Sequence, residues 1–209
     1  MRNCLLVMLM LPALCPAADV KVIDFPAPQT DGGKPLMQVL KARQSAREFS
    51  GRMPSPQVLS NLLWAAAGIN RPDGRRTAPS ASNRQEIDIY VITADGLYLY
   101  EPKGHKLTGL LSGDQRALAG TQDYVKTAPV NLVYVADFAK YGAQTPDEAR
   151  FTYSGADTGF VSQNVYLFCA SEGLATVVRA GIDRVALGKA IGLRPEQHII
   201  LEQPVGYPK

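Results

Sequence analysis

The stretch "EIDIYVITADGLYLYEP", residues 86–102, decides the fold that the sequence predicts. Apolar and polar side chains alternate from Ile87 to Val91, which is the period of a β-strand with one buried face. The triplet "ADG" separates this run from a second apolar run at residues 97–100, and such a triplet is typical of a hairpin turn. Two strands joined this closely are antiparallel neighbours, so the sequence predicts a largely antiparallel sheet.

Helical patterns flank this hairpin. In "SPQVLSNLLWAAAGI", residues 55–69, Ser55 is a good N-cap, Pro56 is a good first residue, and apolar positions recur at helical spacing. Other helices are predicted at residues 36–42, 150–172 and 184–193, the last capped by Asp183. Further strands are predicted in "PVNLVYVADF", "LATVV" and "HIILEQPVGY", and residues 104–127 are predicted to be a polar segment with a helix start near Asp114. Interleaved strands and helices indicate an α+β fold with a mixed, largely antiparallel central sheet flanked by helices.

The bulk composition is that of an ordinary globular protein. The 209 residues are 46% hydrophobic, enough for one domain with a full core, and the net charge of +3 is too small to imply nucleic acid or a membrane surface as a partner. His105 and His198 have no cysteine or histidine neighbour at metal-ligand spacing, so no metal site is predicted. A nucleic-acid-binding module remains an alternative, although its loop lacks interleaved aromatic residues. It would use Arg71, Arg75, Arg76 and Arg84.

Residues 1–18 have the pattern of a secretory signal peptide, with one early arginine, an apolar run and then small residues. This predicts an exported protein, periplasmic in a bacterium, without a membrane anchor. The alternatives are a buried N-terminal helix or a start codon assigned too early, with the protein then cytoplasmic. Residues 19–35 are predicted to form an extended arm or tether, and residues 36–209 a single domain. The mature chain would keep only Cys169, which excludes an internal disulfide.

The stretch "LKARQSAREFS", residues 40–50, places Arg43, Ser45 and Arg47 at every second position. In a helix Ser45 would point away from the two arginines, and the three side chains would belong to a solvated surface. In an extended chain all three would point to one side, where two cations and a hydroxyl suit a phosphate group. The later segments favour the second interpretation, so we expect the helix to end near Ala42 and the chain to continue extended.

Two later segments are suited to a ligand. "RTAPSASNRQ", residues 76–85, is a polar turn whose amide side chains could hydrogen-bond the edge of a heteroaromatic ring, although a plain surface loop is an equally good interpretation. "GLATVVRAGID", residues 173–183, has small residues that would let a flat ring approach the backbone, although it also suits a simple strand-to-helix turn. The sequence has no nucleophile motif, so no catalytic side chain is assigned, and a cofactor that performs the chemistry is indicated.

Taken in order, "RQSAREF", "PSASNRQ", "GFVSQNVYLFCASEGLAT" with "AGID", and the ending "PVGYPK" resemble the nitroreductase family of flavin mononucleotide (FMN) enzymes. "LLWAAAGI", "RTAPSA", "YLYEPKGHKL" and "SQNVYLFCASEGL" are similar to the branch that includes the azoline-oxidising dehydrogenases of peptide biosynthesis. The resemblance covers residues 36–209, and its strength lies in the order and spacing of the segments.

The resemblance implies a domain-interlocked homodimer with FMN bound between the subunits. The matched residues are Arg43, Ser45 and Arg47 for the FMN phosphate and ribityl chain, Pro79, Ser80 and Asn83 from the other subunit, Ala180 and Gly181 for backbone contacts to flavin N5 and O4, and Gln122 near the pyrimidine edge. Family members often continue past "PVGYP" to a basic pair that helps hold the phosphate, whereas this chain ends at Lys209. Either Arg43 and Arg47 would carry more of that role, or Arg179 or Lys209 would replace the pair.

The activity that the resemblance implies is hydride transfer from NAD(P)H through FMN N5 to a small acceptor, such as a nitroaromatic or a quinone, in a ping-pong cycle. Reduced nicotinamides are mostly intracellular, so export would favour another electron source or oxidation of the substrate. Two alternatives stay open. One is an FMN-dependent substrate dehydrogenase of the azoline-oxidising type, and the other is a non-catalytic flavin-binding protein.

Overall fold

The computed structural model describes residues 21–209, so the predicted signal peptide, residues 1–18, lies outside the described residues. The strands are β1 (Val22–Asp24), β2 (Ile87–Ile92), β3 (Gly96–Glu101), β4 (Lys106–Ser112), β5 (Val130–Asp137), β6 (Ala175–Thr176) and β7 (Gln197–Gly206). The α-helices are α1 (Leu36–Ala42), α2 (Pro56–Ala67), α3 (Arg116–Ala119), α4 (Asp123–Thr127), α5 (Asp147–Glu172) and α6 (Arg184–Ala190). Short 3-10 turns lie at Ala81–Asn83 and Phe138–Lys140.

The strands form one seven-stranded sheet in the order β1-β4-β3-β2-β5-β7-β6. The predicted hairpin is present, with Tyr90 of β2 opposite Leu99 of β3. Every pairing between these strands is antiparallel. The predicted α+β fold, with a largely antiparallel central sheet flanked by helices, is therefore confirmed.

Strand β5 lies inside the sheet and is buried along its whole length. On one face, Leu132 and Tyr134 belong to a hydrophobic cluster with Leu62 of α2 and residues of α5. On the other face, Val133 belongs to a second cluster with Leu187 of α6 and residues of α3 and α4. Because helices cover both faces, β5 has the continuous apolar sequence of a fully buried strand rather than strict alternation.

The helix ends follow their predicted caps. Helix α1 ends at Ala42, and Arg43 has the extended φ and ψ angles of −58° and 121°. The side chain of Ser55 accepts a hydrogen bond from the backbone N–H of Val58 at the start of α2. At α6, Asp183 is the N-cap as expected. These local signals therefore fix where the chain changes direction.

The predicted polar segment, residues 104–127, is wrong over its first half, because it contains strand β4. Gly109 interrupts the alternation of that strand and hides it in the sequence. A Cβ at Gly109 would lie 2.8 Å from the carbonyl oxygen of Lys21, so the close approach of the first described segment requires glycine there. Helix α5 also begins earlier than expected, at Asp147, directly after Pro146.

The first described residues lie extended along the edge of the sheet. Ile23 of β1 is opposite Leu107 of β4, and the N–H of Gly109 donates to the carbonyl of Lys21 at 2.7 Å. A little further on, the hydroxyl of Ser60 in α2 donates to the carbonyl of Pro26 at 2.7 Å. The segment is therefore paired with the sheet and with α2 rather than hanging from the domain as a loose tether.

A hydrogen-bond chain connects this segment to a histidine. Because the hydroxyl of Ser60 donates to Pro26, its oxygen accepts from the Nε2 N–H of His105, at 2.7 Å. The Nδ1 of His105 then accepts from the hydroxyl of Tyr100 at 2.9 Å. This arrangement uses the neutral imidazole, and burial lowers the pKa of His105. Ser60 is fully buried, so the Ser–His contact is structural and cannot reach a substrate.

We expect acid to weaken the fold through His105. Its pKa in the folded protein lies below the usual 6.5, so the unfolded chain binds the proton more readily. The stabilisation is therefore complete above about pH 6.5 and is lost as the pH falls below that value. Replacing His105 with Gln should cost about 1–2 kcal/mol of unfolding free energy at neutral pH and remove this part of the pH dependence.

Urea unfolding between about pH 5 and 8 measures the effect. The reference is the wild-type protein over the same pH range, from which the variant differs at His105 alone. An unchanged pH dependence in His105→Gln would contradict the assignment.

Candidate functional site

Residues 43–47 run as an extended segment beside strand β6. The backbone N–H of Ala46 donates to the carbonyl of Thr176 at 2.9 Å. The even-numbered side chains of this stretch, beginning at Ala42, line a cavity of about 200 Å³ behind it. Alternation in an extended chain therefore puts the odd-numbered side chains on the opposite side. These are Arg43, Ser45 and Arg47.

Tyr166 on helix α5 is the contact point for this segment. Its hydroxyl lies 2.8 Å from the hydroxyl of Ser45, and its ring lies under the guanidinium of Arg43, with 5.3 Å from Cζ to the ring centroid. The same hydroxyl accepts from the backbone N–H of Val178 at 2.9 Å, so it is free to donate to Ser45. Tyr166 thus connects the segment to the loop after β6, whereas Arg47 is exposed to solvent.

Directly after Val178, three of the predicted cofactor residues lie together. The guanidinium of Arg179 donates to the side-chain oxygen of Gln122 and to the carbonyl of Gly181. A Cβ at Gly181 would lie 2.9 Å from the side-chain nitrogen of Gln122, so a larger residue there would have to shift that side chain. Within residues 21–209, the N–H groups of Ala180 and Gly181 have no hydrogen-bond acceptor. We call these two N–H groups and the amide of Gln122 the donor edge.

Arg179 is buried beneath the donor edge in an ion pair. Its Nη1 lies 2.7 Å from Oε2 of Glu202, a residue of β7 that is fully buried. Burial raises the pKa of Glu202 to about 8, and the charge of Arg179 opposes that rise. Arg179 was also considered as a phosphate ligand, and the structure places its guanidinium inside the protein, against Glu202 and Gln122. Lys209 is exposed.

The third predicted segment forms a strained turn on α5. Positive φ angles of 54°, 53° and 53° occur at Ser82, Asn83 and Gln85, conformations that are costly for residues other than glycine. The turn is held by the N–H of Ala81, which donates to the carboxylate of Asp157 at 2.8 Å. The hydroxyl of Ser80, beside Pro79, also accepts from the N–H of Gln85 at 2.9 Å.

A buried carboxyl pair supports this turn from below. Glu86 is fully buried and accepts a hydrogen bond from the hydroxyl of Tyr141 at 3.0 Å. Burial and the neighbouring Asp157 both raise the pKa of Glu86. Because Asp157 also holds the turn, we assign the pair a structural role, and its burial keeps it away from substrates.

Within one chain, the turn at residues 76–85 does not lie beside residues 43–47 and the donor edge. Asp157 and Tyr166 are on the same helix, α5, and they are nine positions apart, which corresponds to about 14 Å along its axis. Pro79, Ser80 and Asn83 lie at the Asp157 end, and Arg43, Ser45 and the donor edge lie at the Tyr166 end. The separation is what a site shared between two subunits would require.

Other features of the described residues do not form a second candidate site. A cavity of about 500 Å³ lies between residues 29–36, α2 and α5, and none of the predicted cofactor residues lines it. Across residues 21–209 there is no cluster of metal-ligating side chains and no helix long and apolar enough to cross a membrane. The arginines of the 70–85 loop all have partners within the chain: Asn70 for Arg71, Asp73 for Arg75, Ile87 for Arg76 and Ala81 for Arg84.

Sequence reasoning missed three residues of the site. Tyr166 and Asp157 lie within the apolar pattern of α5, and nothing in that pattern distinguishes them from other buried helix positions. Glu202 offered a signal, because a carboxylate within the apolar run "HIILEQPVGY" must be paired if it is buried. That signal predicts a cation opposite β7, and Arg179 occupies that place.

Comparison with known proteins gives a consistent result. The family model described as "Nitroreductase family" matches residues 40–207. A protein of Methanocaldococcus jannaschii that is assigned to the nitroreductases is 34% identical over 152 residues, covering 68% of this chain and 76% of the relative. The crystal structure of a protein of Ralstonia eutropha JMP134 with the same assignment is 40% identical, with a TM-score of 0.86 and 97% of each chain covered.

Two more distant solved structures share the fold. A chain of the Escherichia coli microcin synthetase McbBCD complex, solved with truncated pro-MccB17 bound, is 20% identical with a TM-score of 0.68, covering 78% of this chain and 67% of that one. The NADPH:FMN oxidoreductase of Vibrio harveyi, complexed with NAD+, is 20% identical with a TM-score of 0.62, covering 83% of this chain and 69% of that one.

We expect Tyr166→Phe to uncouple the extended segment from the loop after β6. The change removes one hydroxyl that pairs with both Ser45 and Val178, so the N–H of Val178 loses its acceptor. It should lower the unfolding free energy by about 1–2 kcal/mol. Denaturant unfolding measures the change, and Tyr153→Phe, at an exposed tyrosine, is the control. Equal stability of the two variants would show that the hydrogen bonds of the Tyr166 hydroxyl do not stabilise the fold.

Proposed function

The chain belongs to the nitroreductase family of flavin-dependent oxidoreductases, and from this premise we propose that it is an FMN enzyme that passes a hydride from NAD(P)H to a small acceptor. One observation carries the proposal. Tyr166 ties the Arg43–Ser45 segment to Val178, which is only three residues before Gly181, at most about 11 Å of extended chain. A cationic segment this close to the donor edge suits a ligand with a phosphate at one end and a heteroaromatic ring at the other.

The residues at both places fit FMN. Arg43 and Arg47 would hold the phosphate, because a guanidinium can donate two hydrogen bonds to it at once, and Ser45 would bind the phosphate or the ribityl chain. The donor edge offers only N–H groups toward a ligand, and the edge of an oxidised flavin around N5 and O4 only accepts. The absence of a side chain at residue 181 lets the amide of Gln122 lie close to the backbone of the loop, so that the donors of the edge are near one another.

When bound, FMN supplies N5 as the atom that receives a hydride and passes it on. The chain supplies the positions: the arginines hold the phosphate end, and the donor edge orients the ring. We propose that the nicotinamide and the acceptor bind in turn, which gives ping-pong kinetics. No side chain of the site is required as a general acid or base. The shared fold of the Vibrio harveyi enzyme supports a nicotinamide as the donor.

The acceptor class that we propose is a small oxidant such as a nitroaromatic or a quinone. A second candidate is favoured by the fold shared with the microcin synthetase chain, and it is FMN-dependent dehydrogenation of a peptide-derived substrate. In both candidates FMN would receive the first hydride, and they differ in its donor, which is a nicotinamide in the first and the substrate in the second.

We further propose a homodimer in which the partner supplies Pro79, Ser80 and Asn83. The support is twofold. The turn that carries these residues lies far from Tyr166 in its own chain, and helices α1 and α5 expose apolar side chains that a second copy could cover. Met37 is 75% exposed and Phe160 is 47% exposed.

Export remains our proposal for the N-terminal pattern at residues 1–18. An exported enzyme would meet little reduced nicotinamide, so its donor outside the cytoplasm would be a different reductant or the substrate itself. Fractionation of cells that express the full chain tests the location, and recovery of the protein only in the cytoplasm would contradict it.

Replacing both Arg43 and Arg47 with Ala should weaken FMN binding by a factor of about 100 or more, because two charge-assisted interactions with the phosphate are lost. Fluorescence titration of the unloaded protein with FMN measures the change. Arg75→Ala is the control, because Arg75 pairs with Asp73 on the surface. Stoichiometric FMN in the purified double variant would contradict the assignment of Arg43 and Arg47 as phosphate ligands.

Co-expression of two defective chains tests whether the site is shared. One chain carries Arg43→Ala with Arg47→Ala, and the other carries Ser80→Ala with Asn83→Ala. If each site combines both subunits, the mixed dimer has one intact site and should bind about one FMN, while each homodimer of variants binds little. No recovery of FMN in the isolated mixed dimer would mean that each chain builds its site alone.

A further inference from the structure

We propose that Arg179, held by Glu202, is a positioning residue for the donor edge. Its guanidinium donates hydrogen bonds to the side-chain oxygen of Gln122 and to the carbonyl of Gly181, so that these acceptors face Arg179 rather than the ligand. The inference rests on the proposed function, since FMN is taken as the ligand of the donor edge. Arg179 does not touch that ligand in this account. It acts through Gln122 and Gly181.

The sheet fixes where the guanidinium lies. Arg179 and Glu202 exchange two backbone hydrogen bonds, of 2.8 Å and 2.9 Å, and their side chains meet through Nη1 and Oε2 at 2.7 Å. Glu202 belongs to β7, which pairs with the buried strand β5. Because the carboxylate of Glu202 contacts only Nη1, the other terminal nitrogen, Nη2, can donate hydrogen bonds to the loop.

Nη2 decides which way the amide of Gln122 points. A guanidinium can only donate hydrogen bonds, so Gln122 must turn its oxygen toward Arg179. Its NH2 group then lies beside Gly181, 2.9 Å from the place that a Cβ of residue 181 would occupy, and the residue is exposed. Without Arg179, either end of this amide could face the ligand.

The backbone of the loop is oriented in the same way. The carbonyl of Gly181 accepts from Nη2 of Arg179 and, at 3.4 Å, from the N–H of Thr121. The carbonyl of Ala180 accepts from the N–H of Ile182 at 2.9 Å and from Nη1 of Arg184 at 3.2 Å. Both N–H groups stay without an acceptor among residues 21–209, so the loop presents donors and no acceptors. That polarity selects a ligand edge made of acceptors.

Gly120 provides a second way to move Arg179. A Cβ at Gly120 would fall inside the space of the Arg179 guanidinium, so a larger residue there must displace it. Gly120→Ala changes no charge and removes no hydrogen-bonding group. This variant therefore shows the effect of displacing the guanidinium of Arg179 while the guanidinium is still present.

The test compares FMN dissociation constants of unloaded proteins by fluorescence titration. Arg179→Lys can keep the charge pair with Glu202 but offers a single nitrogen, which cannot serve Gln122 and Gly181 as well. We expect it to weaken FMN binding about tenfold, the effect of losing about one net hydrogen bond. The matched control is Arg194→Lys, in an ion pair with Asp137 at 2.6 Å, and its affinity should stay within about twofold of wild type.

A double-mutant cycle separates positioning from general destabilisation. If Arg179 acts through Gln122, the combined effect of Arg179→Lys and Gln122→Ala on FMN affinity should be clearly smaller than the product of the two single effects. Equal thermal midpoints for Arg179→Lys and Arg194→Lys would show that the loss is local. Independent single effects that multiply would overturn the proposal, as would wild-type affinity in both Arg179→Lys and Gly120→Ala.

A measurement on the wild-type protein tests the proposal even if the variants do not fold. In 15N-labelled protein, the side-chain NH2 signals of Gln122 and the backbone signals of Ala180 and Gly181 should shift together on addition of FMN. FMN binding that leaves all three unchanged overturns the role of the donor edge and of Arg179. Absence of FMN binding by both wild type and Arg194→Lys overturns the proposed function instead, and this inference falls with it.

Discussion

The complete burial of strand β5 is the constraint on which the rest of the structure depends. Helices α2 and α5 must cover one face of the sheet, and α3, α4 and α6 must cover the other. The middle of the sheet is therefore filled by side chains on both sides. The candidate site forms where this core ends, at the β6 edge, where the extended segment pairs with Thr176 and the chain turns into α6.

Features set by neighbours in sequence could be predicted, and features set by distant pairs could not. The end of α1 at Ala42 and the Asp183 cap follow from local signals, and both are observed. Strand β4 is an exception, because it pairs with its sequence neighbour β3 but was missed where Gly109 interrupts its apolar alternation. The contact of Ser45 with Tyr166 spans 121 positions, and no periodicity contains it. The site residues themselves came from the family resemblance, and their arrangement came from the structure.

Helix α5 organises the site at two points along its length. Near one end, Asp157 holds a turn of three left-handed residues, and nearer the other, Tyr166 holds the cationic segment against the loop after β6. The hydrogen bond to the carboxylate of Asp157 helps to keep that turn in its strained backbone conformation. In the proposed homodimer, the turn at the Asp157 end of α5 in one copy would meet the Tyr166 end of α5 in the other. Each proposed site would then use residues of both chains.

The central claim is that this chain binds FMN and accepts a hydride from a reduced nicotinamide. Its most direct test is the visible absorption spectrum of the purified protein under anaerobic conditions, before and after addition of NADH or NADPH. We expect a bound-flavin band that bleaches with one of the two nicotinamides and returns when an acceptor is added. A protein that shows no flavin band after incubation with FMN, or a band that neither nicotinamide bleaches, would contradict it.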